Sequence, residues 1–351
     1  MADVTITQLS VNSNLSAVNY IPISDGVDTT RLGSNSLFGT RNRLINGGFN
    51  IAQRGTTITC VSGDYTLDRW KIVTSDLFSI TVDQLTNPYT GANNSMRVAN
   101  GAQGQRFGVY QIIESANCRD LRGKQVTLSF KIKTSDATTP APIAVSIIEY
   151  TGAAVSVQNG IFSSMPVNSI PVVRTAGGFT ANYQAAIIPS AAATWYSVPP
   201  ITTTLGSSFN NLLIALTWMN SSSPSSVNKN FELAQVQLEE GPSATPFEFR
   251  PISTELAMCQ RYYEVLTADS EGVAITSFVN STSPISNRSR WYFKATKRIS
   301  PSVNLVSGSW AGTTPTIYPS IDSAGFYSST SGTFSTSHTP GAPALYAAAE
   351  L

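Results

Sequence analysis

The chain has 351 residues and a formal net charge of +1, with 12% charged and 41% hydrophobic residues. Charge this sparse, against about 25% in an ordinary soluble domain, leaves no basic footprint for nucleic acid. Disorder is excluded as well, because it needs low hydrophobicity joined to high net charge. Ser, Thr, Asn and Gly fill the gap, which suits many short strands and tight turns, and the length allows two or three units.

Cys60, Cys118 and Cys259 are odd in number and lack paired spacing, so neither a disulfide framework nor a thiolate metal site is expected. Folding in a reducing cytoplasm fits that usage. MADVTITQLS lacks the basic and apolar regions of a secretory signal, and no window approaches 18 apolar residues, so no membrane insertion is expected.

Residues 1–40 read as an extended arm, with short strands predicted around VTITQL and AVNYIPI. Val18, Tyr20, Ile21 and Ile23 are poorly explained in a free tail and mark it as a docking peptide that orders on a larger partner. At Arg43 the texture changes. RLINGGFNIAQRG reads as an opening strand around Asn46-Gly47-Gly48, where glycine permits φ > 0. GDYTLDRW then leads through a turn into a strand, with Trp70 packed beneath the opening segment.

FSITVDQL, SMRVAN and FGVYQIIES continue the series, and QVTLSFKIKTS is its clearest member. Val126, Leu128, Phe130 and Ile132 share one face there, while Thr127, Ser129, Lys131 and Lys133 share the other. PIAVSIIEYTG is apolar throughout, as a strand buried on both faces would be. NLLIALTWMN places Trp218 in register with Leu212, Ile214 and Leu216, hence in the core. FELAQVQLEEGPSATPFEFR reads as the last strand, leaving through a Gly-Pro turn. Strands this dense, divided by turns and never by helices, predict an all-β jelly-roll sandwich over 41–250.

PISTELAMCQRYYEVL is the one credible helix, a connector over 251–265 capped by Ser253 or Thr254, with an apolar stripe of Leu256, Cys259, Tyr262 and Tyr263. A smaller β-domain follows over 266–351, closing with a strand in ALYAAAEL. Its few aliphatics predict a thin core, better stabilised against copies of itself. The basic cluster Arg288, Arg290, Lys294, Lys297 and Arg298, interleaved with Trp291, Tyr292 and Phe293, reads as the solvated face of one strand. Its alternative reading is a patch for phosphate or acidic glycan.

Four motifs in order, RLINGGFNIAQRG, GDYTLDRW, FELAQVQLEEGPSATPFEFRP and ELAMCQRYY, resemble a group of bacteriophage tail-fibre and minor structural proteins over roughly 43–264. The resemblance implies a jelly roll similar to carbohydrate-binding modules, a place in the virion after assembly in the host cytoplasm, a homotrimer, and attachment to a host-surface glycan. The arm would hold the chain to other proteins of tail, baseplate or capsid. A capsid or baseplate decoration or head fibre with a purely structural role is the alternative.

Little chemistry is visible beyond binding. His338 is the single histidine and lies beside Pro and Gly, which argues against a Ser-His-Asp arrangement and excludes two-His metal sites. Phosphate-cradling glycine motifs are absent. Glu239-Glu240 and Asp64/Asp68 are the visible acid pairs for glycoside chemistry, and no enzyme is expected. Sugar sites stack aromatic faces on pyranose rings, and the candidates are Trp195, Tyr196, Trp310, Tyr318 and Tyr327. Trp310, flanked by turn residues, is expected either exposed or buried at a subunit contact. No cofactor is expected; related jelly rolls carry a structural calcium, for which Asp64, Glu232 and Glu239 supply fewer oxygens than the six to eight such a site takes.

Overall fold

The computed structural model describes residues 20–24, 29–33, 40–74, 79–100, 106–135, 142–154, 160–166, 169–189, 193–219, 229–268, 287–306, 310–312, 314–328, 334–336 and 343–351. In the arm, β1 (Tyr20–Ser24) and β2 (Thr29–Gly33) pair antiparallel as a hairpin. The strand expected in VTITQL lies outside the described residues.

The sandwich runs through β3 (Thr57–Cys60), β4 (Trp70–Thr74), β5 (Ile80–Tyr89), β6 (Ala92–Asn100) and β7 (Phe107–Ile113). It continues with β8 (Gln125–Thr134), β9 (Ile143–Tyr150), the short pair β10 (Phe162–Ser164) and β11 (Val172–Val173), and β12 (Phe179–Ile187). β13 (Tyr196–Ser197), β14 (Ile201–Thr204), β15 (Asn211–Trp218) and β16 (Asn230–Glu240) complete it. One sheet has the order β12-β9-β15-β7-β4; the other runs β13-β8-β16-β6-β5-β3, with β14 also paired to β8. The chain crosses repeatedly between them, as a jelly roll does, and the sheet pairings are antiparallel.

Between the sheets lies the main core. Trp218 stacks on Phe107 (5.8 Å) and near Phe231 (6.4 Å), as its alternation predicts. A second apolar layer covers the other face of the five-stranded sheet. There Tyr110, Ile112, Ile148, Leu213 and Ala215 meet Ile161 and Val173 from the β10–β11 region and Cys259, Tyr262 and Leu351 from the end of the chain. β7, β9 and β15 are consequently buried on both faces, which explains why PIAVSIIEY and NLLIALTW carry almost no polar alternation.

One expectation fails at the start of the sandwich. Residues 41–56 form a buried irregular segment, not a strand. Asn46 and Phe49 adopt left-handed φ of 58° and 57°. The Asn46 side chain supplies the missing ladder, donating to Ile51 O (2.8 Å) and Asp68 O (3.1 Å) and accepting from Ile51 N–H (3.0 Å). Gln111 clasps both backbone groups of Ile45 at 2.8 Å. Every buried backbone group needs such a partner once sheet pairing is given up. Gly47 is required by close approach: a Cβ there would stand 2.1 Å from Val236 O, at the bulge where Gln235 takes φ 52°. Trp70 packs against this segment, 5.5 Å from Phe49.

Helix α1 (Ile252–Gln260) has Pro251 at its N-cap and no side-chain cap, so neither Ser253 nor Thr254 plays the expected part. Its first turn is anchored by the buried Glu255, which accepts from the backbone N–H of Asn46 and from Arg250. Cys259 and Tyr262 face the sandwich as expected, with Leu256 packed beside them. Tyr263 opens the next strand.

The C-terminal unit contains β17 (Tyr263–Thr267), β18 (Asn287–Tyr292), β19 (Ser302–Leu305), β20 (Trp310–Gly312), β21 (Thr316–Pro319), β22 (Ser323–Ser328), β23 (Phe334–Thr336) and β24 (Pro343–Ala348). They form the sheets β17-β24-β19 and β18-β22-β21 and the pair β20-β23. The core is thin, built on Trp291, Phe326 and Leu345 with several alanines.

After β24 the chain returns to the sandwich. Glu350 is gripped by Arg54 (2.9 Å) and by the fully buried Arg69, whose guanidinium lies 3.5 Å from the Tyr262 ring centroid. Tyr65 donates to Leu351 O (2.6 Å), and Arg298 reaches Ala349 O and Glu350 O. Glu114 accepts from Arg261 (2.9 Å) and from the Tyr262 hydroxyl (2.7 Å). Three of the four sequence motifs thus put side chains into this junction; the fourth enters beside it, where Arg250 donates to Leu44 O (3.1 Å) and Asn42 O.

Candidate ligand-binding site

β18, β22 and β21 alternate strictly, and the alternation divides their side chains between two faces. Trp291, Ala324 and Phe326 are buried in the C-terminal core, with Ile317 packed against them. The opposite face therefore carries Arg288, Arg290 and Tyr292 from β18, Ser323, Gly325 and Tyr327 from β22, and Tyr318 from β21. The register sets Arg288 beside Tyr327 and Arg290 beside Gly325, which is in turn beside Tyr318. A concavity of about 820 Å³ opens over this face.

Its walls are aromatic and cationic. The Arg288 guanidinium lies 5.5 Å from the Tyr327 ring centroid, and Arg290 lies 5.8 Å from that of Tyr292. Tyr318 stands edge-on to Tyr327 with centroids 6.4 Å apart, and it is 61% exposed. Neither arginine has a carboxylate partner among the described residues. Ser320 and Ser323, with hydroxyl oxygens 3.3 Å apart, close one end.

Gly325 forms the floor. Its φ is outside the left-handed region, and a Cβ there would meet nothing nearer than Tyr318 O at 3.8 Å. The backbone thus has no need of glycine at this position. What the missing side chain provides is room between Arg290 and Tyr318, as a strand glycine does where a ligand approaches closely.

Of the five predicted aromatics the structure brings two together, Tyr318 and Tyr327. Trp195 is on the sandwich instead, its indole N–H donating to Pro88 O (3.1 Å) and its ring tilted against Tyr89 at 5.0 Å. Lys133 lies 5.5 Å from the Trp195 ring and is ion-paired with Glu232 (2.7 Å), so this aromatic is half-covered by its own neighbours. Tyr196, next in the chain, packs against the main core, because successive strand residues point to opposite faces. Trp310 corrects a further expectation: it belongs to β20, not to an open turn, and packs against the C-terminal core 5.8 Å from Phe326.

The basic cluster divides in the same way. Lys297 is fully buried, paired with Glu264 at 2.5 Å and donating to Gln260 O. Arg298 belongs to the junction. Only Arg288, Arg290 and Lys294 are exposed, so the solvated face is smaller than the sequence suggests. Gly325 was missed as a site residue, and so was Tyr292 as the ring beside Arg290 at the edge of the groove. The alternation of SRWYFK marks Tyr292 as facing away from Trp291, but nothing local marks Gly325.

Other candidates stand apart. Asp64 caps the backbone of Val61, Glu232 holds Lys133, and Glu239 holds Thr245, so the three acids considered for calcium have separate structural partners. Asp68 is clasped by Gln53 through its backbone and side-chain N–H groups. The three cysteines are free and buried, and burial pushes the Cys60 and Cys118 thiols up to about 12, far from a nucleophile's range. His338 and Val18 lie outside the described residues, while Tyr20, Ile21 and Ile23 belong to β1.

No family model and no curated protein matches the chain. Among solved structures, it is similar to a protein provisionally assigned as sugar binding from Bacteroides thetaiotaomicron VPI-5482, at 13% identity and TM-score 0.36, covering 57% of this chain and 100% of that one. The enzymatically active domain of bacteriophage CBA120 tailspike protein 4 is similar at 14% identity and TM-score 0.32, covering 57% of this chain and 21% of that one. The CBM22-1–GH10 modules of Clostridium thermocellum xylanase 10B, complexed with xylohexaose, follow at 10% identity and TM-score 0.31, covering 53% and 28%. At scores this low the likeness bears on no residue of this chain.

Proposed function

We propose that the chain is a bacteriophage fibre component that attaches the particle to a saccharide on the host surface, through the groove over β18, β22 and β21. The observation that carries this reading is the groove itself: an exposed Tyr318 beside a half-buried Tyr327, two guanidinium groups with no carboxylate partner among the described residues, and a glycine floor that the backbone does not require. Aromatic faces bind the apolar side of a pyranose, and fixed planar donors meet its hydroxyls. The four sequence motifs support the virion setting. In this reading the arm docks on another virion protein through Val18, Tyr20, Ile21 and Ile23, and the thin C-terminal unit is completed by two further copies. The role is binding, with no catalysis and no cofactor.

Replacing Tyr318 and Tyr327 together by Ala tests it. Host adsorption and glycan-array binding are expected to fall to background while the melting temperature is kept; unchanged adsorption would remove the groove from the reading. Light scattering checks the assembly, for which a trimer is expected.

A structural decoration of capsid or baseplate is the second reading. It is favoured by the motifs themselves, whose conspicuous residues (Asn46, Gly47, Arg69, Arg250, Glu255, Tyr262) serve internal packing and pairing. Counting copies per particle separates the two, since a fibre is present in few copies and a decoration in many.

A further inference from the structure

We propose that the groove selects an anionic saccharide, a pyranose carrying a carboxylate or a phosphate; this rests on the reading that the groove binds glycan. Arg288 and Arg290 are two residues apart on one strand face, so their Cα atoms are separated by roughly 6.6 Å. Two like charges this close repel, and several arginines elsewhere in the chain are answered by a carboxylate: Glu350 for Arg54 and Arg69, Glu255 for Arg250, Glu114 for Arg261. On this face none does so among the described residues, and Asp322, in the β21–β22 turn, is engaged by Thr296 at 2.9 Å. The missing counter-charge is the ligand's to bring.

Geometry narrows the class. Each guanidinium lies near a tyrosine ring, Arg288 near Tyr327 and Arg290 near Tyr292, so its donors are held near the sheet surface at little entropic cost. Both carboxylate and phosphate accept paired N–H donors from such a fork. Tyr318 faces Arg290 across Gly325, and the open floor admits a flat ring between them. A free oxyanion would use the arginines and leave the tyrosine faces idle. A neutral sugar would use the tyrosines and leave two adjacent cations unanswered. A sugar that bears an anion uses both.

The test is a glycan array of neutral, carboxylated and phosphorylated oligosaccharides probed with the full chain, followed by calorimetry on the best binder. Hits are expected only in an anionic class, and which class it is separates carboxylate from phosphate. The best binder should hold at least about tenfold tighter than its neutral counterpart, and the preference should vanish in the double variant Arg288→Gln, Arg290→Gln. Gly325→Val should abolish binding of every class with an unchanged melting temperature. Equal binding of neutral and anionic glycans, or an anionic preference that survives the double variant, overturns the inference and leaves the glycan reading standing. No hit in any class, with host adsorption indifferent to Tyr318→Ala and Tyr327→Ala, overturns both.

Discussion

At the junction, Arg69 stacks on Tyr262 and its charge is met by Glu350, with the arginine and the tyrosine fully buried and the carboxylate nearly so; over the β18–β22–β21 sheet, Arg288 stands over Tyr327 and meets solvent. The ingredients are the same, and the uses are opposite. A guanidinium whose carboxylate is supplied by its own chain becomes a fastening, because separating the pair would strand a charge in low dielectric. A guanidinium near an aromatic ring but without a carboxylate keeps its donors for something else. Arginine and tyrosine in a sequence therefore do not announce a binding site. The position of the acids decides.

Arg69→Ala should break this comparison most severely. It leaves Glu350 facing only Arg54 and strips the Tyr262 ring of its cation, and the cost expected by denaturant melting is about 3–5 kcal/mol. The two glycines sharpen the contrast next. Gly47→Ala drives a Cβ against Val236 O and should cost about 1–3 kcal/mol, as overpacking does, even though both residues are small.

A third prediction concerns pH. Burial would push the Glu114 carboxyl up, but the hydrogen bonds from Arg261 and Tyr262 outweigh it and hold the group below its ordinary value. The stability it contributes is thus present above the unfolded pKa, about 4.3, and is lost as pH falls through the lower folded value. Glu114→Gln should cost about 1 kcal/mol at neutral pH and nothing in strong acid, so the two stability curves converge there. Asp68 has the opposite sign: burial pushes its carboxyl up, so protonation favours the fold there. Both proteins share Asp68, and subtracting their curves isolates Glu114. Curves that stay parallel would show that the Glu114 charge contributes nothing.

The smallest effect on stability is expected at the open face. Gly325→Ala should change it by no more than about 0.5 kcal/mol, since the added methyl meets only ordinary contacts. The same substitution should weaken glycan binding, measured by calorimetry. A loss of stability as large as that of Gly47→Ala would mean that Gly325 is structural and would remove the floor from the argument.

Much of the sandwich was legible because burial on one face imposes a period of two. QVTLSFKIKT gave its inward face residue by residue, and NLLIALTW placed Trp218 in the core. RLINGGFN was misread as a strand for an equally definite reason. Its apolar residues are buried as a strand's would be, but its backbone is satisfied by the side chains of Asn46 and Gln111, which come from far apart in the sequence. Trp310 was expected in an open turn, either exposed or at a subunit contact, because turn residues flank it, while its ring packs near Phe326 of its own chain.

The sequence by itself determined the periodicity: that the clearly alternating stretches are strands, which of their faces are apolar, where the connector helix falls, and that Tyr318 and Tyr327 were among the aromatics worth considering. Those are local properties, fixed by the alternation of side chains along an extended backbone. Only the tertiary structure decided which charges are paired. Lys297, Arg298, Arg288 and Arg290 are neighbours in sequence, yet the first is neutralised by Glu264, the second is bound to the carbonyls of Ala349 and Glu350, and the last two stand open. Pairing depends on distance in space, and the Coulomb energy and desolvation that settle it are set by partners that the chain brings back from far away.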